Sequence, residues 1–262
     1  MPLPSMDSPF LLLHGILGDE RTFEPIQNAY PDGSVFTHTL SGAGIDGANI
    51  DAAHFNTRIH SDQLIEHCAQ NFTQPVTLVA WSYSCHVALL AALKAPHLFK
   101  ALYLYDCIVP SYGLEEDAAT LKAFSRDLHK MMSPVIKALR SQNPTDAVDA
   151  FVQSCSAHHL GLQDQSPRIQ AIKLDNAHTV SRLLTQAEPE PIHKTTLSTF
   201  PVPVRICWGE DSRVIFRLAS KALMDHLPKA CLLTGSGSLP ECDHLMPEEQ
   251  PERFIQYILQ GA

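Results

Sequence analysis

The chain has 262 residues, 45% of them hydrophobic, and a formal net charge of −9 at pH 7. That length and apolar content suffice to bury the core of one α/β domain with an insertion. The acidic balance argues against nucleic acid and anionic membrane surfaces as partners.

In chain order, the first strand-length apolar run is 10–13, followed by a helical pattern over 21–28. A strand over 34–39, a helix over 55–70, a strand over 76–81 and a helix over 83–93 come next, then a strand over 101–105. Most of these runs are continuously apolar, as expected of parallel strands covered on both faces. From about 108 to 200 the strand pattern stops. Helices are predicted there over 118–139, 145–156 and 168–186, punctuated by Pro110, Pro134, Pro144 and Pro167, with 188–192 as an exit linker. The alternation then resumes with strands over 204–208 and 231–234 and helices over 216–227 and 251–259. This order predicts an α/β fold with a doubly wound, mostly parallel sheet of about six strands and right-handed crossovers. Residues 1–107 and 201–262 would form the core, 108–200 a helical cap, and no leading β-hairpin is expected.

The residues before Phe10 include no basic region, and the run 10–13 is too short for a signal segment or a membrane span. Seven dispersed cysteines without CxxC spacing read as free thiols of a reducing compartment. A cytoplasmic protein is therefore expected.

Three segments carry chemistry. In Val76-Thr-Leu-Val-Ala-Trp-Ser-Tyr-Ser, a buried strand ends at Trp81 and a helix starts after Ser82, with small residues, Ala80 and Ser84, on either side. A serine on so tight a turn is held in a strained conformation beside the helix's free N–H groups. Leu11-Leu-Leu-His-Gly places His14 and Gly15 at the end of the first strand. His244 lies in a loop before the final helix, from which a general base can reach over the strand ends.

This set resembles the α/β-hydrolase superfamily from Phe10 to Leu259. Its nucleophile elbow is usually written G-x-S-x-G, and both glycines are replaced here. The resemblance implies a serine hydrolase cleaving an ester, thioester or lactone of a small, hydrophobic substrate, with no cofactor. Ser82 would be the nucleophile and His244 the base. The N–H groups of Ile16 and Tyr83 would form the oxyanion hole, with His14, Gly15 and Trp81 near the substrate. The acid stays open. In the family it usually stands three residues after the glycine that ends the strand over 204–208, and here that residue is Ser212. Asp211 is one residue short of it. Asp106, at the end of the strand over 101–105, is the preferred alternative, because some members draw their acid from that strand. Acyl transfer to another acceptor, lyase chemistry, or a non-catalytic ligand-binding member fits the same residues, and the oligomeric state, a homodimer included, is open.

Other signals point elsewhere. Gly42-Ala-Gly-Ile-Asp-Gly spells a dinucleotide fingerprint, but the acidic residue at the expected distance, Asp62, falls inside a helix. The fourteen histidines, His158-His159 among them, show no metal-site spacing. Cys85, Cys107, Cys207 and Cys242 flank the inferred site and read as fillers of small apolar gaps.

Overall fold

The computed structural model describes residues 8–108, 118–141, 143–158 and 160–260. Pro110 and His159, named above, lie outside them. Six strands form one sheet: β1 (Phe10–Leu13), β2 (Val35–His38), β3 (Val76–Trp81), β4 (Phe99–Tyr105), β5 (Val204–Gly209) and β6 (Gly237–Leu239). Their order is β2-β1-β3-β4-β5-β6 and every pairing is parallel. The helices are α1 (Glu24–Ala29), α2 (Thr57–Asn71), α3 (Tyr83–Lys94), α4 (Ala118–Leu139), α5 (Pro144–Cys155), α6 (Pro167–Asp175), α7 (His178–Thr185), α8 (Lys194–Leu197), α9 (Val214–His226), α10 (Met246–Glu249) and α11 (Pro251–Phe254). β1 and β3 are buried along their whole length, which explains sequences that are apolar apart from Thr77, whose hydroxyl is paired with that of Ser8.

Register decides what the sheet presents at its carboxyl edge. Leu13 lies opposite Ala80, Trp81 opposite Tyr105, and Tyr105 opposite Cys207. The residues after these strand ends, His14, Ser82 and Asp106, therefore emerge at one rim, where ligands of open parallel sheets bind.

The helical stretch 118–139 is one helix despite Pro134 inside it. Proline frees the carbonyl four residues back. That residue, Lys130, is exposed, so water can satisfy it. The helix expected over 168–186 is instead two, parted at Asn176. This side chain is fully buried, donates to Asp19 and Ile172, and accepts the Gly44 N–H, a cross-link that a continuous helix could not make. The last strand is also displaced. The run 231–234 makes only a bridge from Leu232 to Val204, because Cys231 closes a 3-10 turn after Pro228. The chain aligns with β5 after Gly235 (φ 85°) and at Gly237 (φ 141°), conformations in which a side chain would be strained. No helix among the described residues is long and apolar enough to cross a membrane.

Candidate active site

Ser82 has φ 61° and ψ −120°, a strained backbone for a residue with a Cβ, and it caps α3. Its N–H is anchored on the Tyr105 carbonyl at 3.0 Å. Ala80 is fully buried. Ser84 stands where a glycine is usual, and its hydroxyl is used. It accepts the Trp81 N–H at 3.1 Å and lies 3.0 Å from the carbonyls of both Trp81 and Leu13.

The β1 end packs against this elbow. A Cβ on Gly15 would stand 3.3 Å from Ser82 Cβ, so the absence of a side chain permits the approach. Ile16 and Tyr83 border the same space as Ser82. Tyr83 is the first residue of α3, so its N–H has no intrahelical carbonyl to bond. His14 does not face this space. Its Nε2 accepts the Leu40 N–H at 3.0 Å, so Nδ1 carries the proton and donates to the Gly15 carbonyl at 2.8 Å. Burial pushes its pKa down, which keeps the ring neutral. The expected substrate contact by His14 is thereby corrected: it shapes the loop that presents Ile16.

His244 is held from four sides. Nδ1 donates to Asp106 Oδ2 at 3.0 Å. Phe216 stacks on the ring at 3.8 Å between centroids and 8° between planes. The Trp81 indole N–H donates to the His244 carbonyl at 2.9 Å, and the Tyr105 hydroxyl to the preceding carbonyl, Asp243, at 2.6 Å. Trp81, expected to touch substrate, borders a small chamber at the site, but its polar atom is committed to holding the histidine loop.

Asp106 is fully buried and has φ 49°. Besides His244, its carboxylate accepts the Ser212 hydroxyl at 2.6 Å on Oδ2 and the Gly209 N–H at 3.1 Å on Oδ1. Three donors offset the cost of burying this charge. Asp211 is not brought to the histidine. It is exposed, and its backbone N–H bonds the Cys242 carbonyl at 2.9 Å. A Cβ on Gly209 would lie 2.3 Å from that same carbonyl, so this turn needs glycine to pass beneath the histidine loop. The Ser82 hydroxyl and the His244 ring thus border one cavity, with the Asp106 carboxylate buried behind the ring, an arrangement suited to deprotonating the serine and holding the resulting imidazolium.

That cavity, about 570 Å³, lies between sheet and insertion. Ser82, Tyr83, Ile16 and His244 form its base, Phe124, Leu128, Met131 and Met132 of α4 one wall, and Leu183 and Leu184 of α7 another. The insertion is tied to the core by Asp127–Arg213 (2.7 Å) and by the buried pair Lys173–Glu248 (2.7 Å). From α7, the Arg182 guanidinium donates to the carbonyls of Gly42, Gly47, Ala48 and Ile50. The glycine loop of the fingerprint-like segment therefore turns oxygens toward its occupant, the opposite of what a phosphate requires.

The cysteines are free, and burial raises the thiol pKa of Cys155, on the cavity wall, to about 12. Such a thiol is a packing group. Among the described residues no group of three His, Cys, Asp or Glu side chains could hold a metal. The sequence reading missed Phe216, Tyr105 and the Ser212 hydroxyl. Only Ser212 left a signal, by occupying the place of the usual acid.

A model of the alpha/beta hydrolase family matches residues 10–257. The chain belongs to the alpha/beta hydrolase family. Among curated proteins, this hydrolase-family chain is 22% identical over 272 residues to ethanol acetyltransferase 1 of Cyberlindnera fabianii, covering 96% of this chain and 78% of that one. Its fold is similar to MenH from S. aureus (TM-score 0.70, 22% identity, 98% and 94% of the two chains). It is also similar to the carboxylesterase CesB (YbfK) from Bacillus subtilis (TM-score 0.67, 16% identity, 98% and 86%).

Proposed function

We propose that this alpha/beta hydrolase cleaves carboxylic esters of small apolar molecules through an acyl-enzyme on Ser82. The observation that carries the reading is the 3.0 Å contact between Asp106 and His244 Nδ1, on a ring that shares a cavity with Ser82. With Nδ1 committed to the carboxylate, Nε2 is the nitrogen left to take the serine proton. Ser82 then attacks the carbonyl carbon, and the developing oxyanion is met by the Ile16 and Tyr83 N–H groups, each worth about 3 kcal/mol in such sites. The Phe216 face stacked on the ring favours the imidazolium as it forms, and the imidazolium then gives its proton to the departing alkoxide. Water repeats the cycle to free the acid.

A fluorophosphonate probe should label the folded protein, and Ser82→Ala should abolish labelling. An unlabelled folded wild type would leave a ligand-binding protein instead. The apolar cavity and the likeness to a protein named ethanol acetyltransferase also support acyl transfer to an alcohol on the same residues. Adding an alcohol during turnover distinguishes the two, since transfer yields a new ester and hydrolysis a free acid.

A further inference from the structure

The large cavity is joined at Ser82 by a second, far smaller chamber of about 10 Å³, bordered also by His244, Gly15, Val152, Lys173 and Leu245. That is room for one group the size of a water molecule, or of a methyl. The two spaces share Ile16, Phe151 and Cys155 besides Ser82 and His244, and differ in the rest of their walls. Val152, Lys173 and Leu245 are 1%, 3% and 3% exposed, whereas Leu121 and Leu184 on the large cavity are 44% and 40% exposed. The large space opens to solvent and the small one is internal. Its wall cannot easily yield, because Lys173 is paired with buried Glu248 at 2.7 Å and moving either strands a charge.

An ester carries two substituents about its carbonyl, and with the carbonyl carbon at Ser82 one enters each space. The order of departure decides which. As the Ser82 Oγ–carbon bond forms, the serine proton passes through His244 to the alkoxide, and the alcohol leaves first. Its half needs the space with an exit, through which the acceptor then enters. The acyl half stays on Ser82 through both steps and can sit in a closed chamber. Resting on the acyl-enzyme reading above, we infer that the substrates pair an acyl group no larger than about acetyl with a long apolar alcohol.

The isomeric esters octyl acetate and methyl nonanoate test this at matched composition, with octanol and methanol release followed so that transfer and hydrolysis both count. We expect kcat/KM for octyl acetate to be higher by at least about tenfold. Val152→Ala, which enlarges only the small chamber, should raise the hexyl butyrate to hexyl acetate ratio by about fivefold, a ratio insensitive to the amount of folded protein. Equal or faster cleavage of methyl nonanoate, or an unmoved ratio in Val152→Ala, overturns the assignment. If neither ester is cleaved while fluorophosphonate labels Ser82, the substrate assignment fails and the nucleophile stands. If labelling fails too, it is the acyl-enzyme reading that falls.

Discussion

The turns that close β4 and β5 lie side by side at the sheet's carboxyl edge, and each carries an aspartate. Asp106 is fully buried against His244, while Asp211 is exposed. Both follow a buried strand, so strand position alone does not separate them. The difference is which way the turn curls. Asp106 sits at φ 49°, which folds its carboxylate under the histidine ring. The β5 turn sends inward Gly209 and Ser212, a backbone N–H and a hydroxyl, and leaves its aspartate outside. One turn supplies the charge and the other supplies the donors that hold it.

Substitutions can break this division. Asp106→Asn should lower kcat by about 10³–10⁴-fold while the fold survives, since the imidazole loses both its tautomer control and the counter-charge of its protonated form. A loss that large in Asp211→Asn alone would reverse the assignment. Gly209→Ala would press a methyl into the Cys242 carbonyl, shift the histidine loop, and cost about a hundredfold in kcat, read together with a lowered melting temperature. Ser212→Ala removes a 2.6 Å hydrogen bond to a carboxylate and should cost about tenfold, measured as the rate of fluorophosphonate labelling. Asp211→Asn should stay within about twofold of wild type in the same assay.

Much of this was legible in the sequence where the cause is local. Apolar runs, some of them broken by a polar residue, mark the first five strands, and 118–139 is helical end to end. Ser82 is visible because a strand-to-helix turn around a serine is a short-range feature. The acid is not, because the choice between Asp106 and Asp211 depends on a contact between Gly209 and Cys242, 33 residues apart in the chain, and on the inward turn at Asp106. Phe216 depends on how α9 packs, and no local pattern places it on His244. His14 shows the opposite failure. Its position after β1 suggests a place near substrate, yet the two backbone groups that claim its nitrogens, at Gly15 and Leu40, turn it into the scaffold.

Ser84 has a consequence beyond its own packing. Its oxygen touches the end of β3 through Trp81 and the end of β1 through Leu13. Tyr83 precedes it directly, and Ile16 lies three residues beyond Leu13. The two N–H groups proposed to share one oxyanion thus belong to segments gauged against each other by a single hydroxyl. Restoring the family's glycine at this position would remove the gauge and keep the shape, so Ser84 acts as a caliper that fixes how far apart the two donors stand.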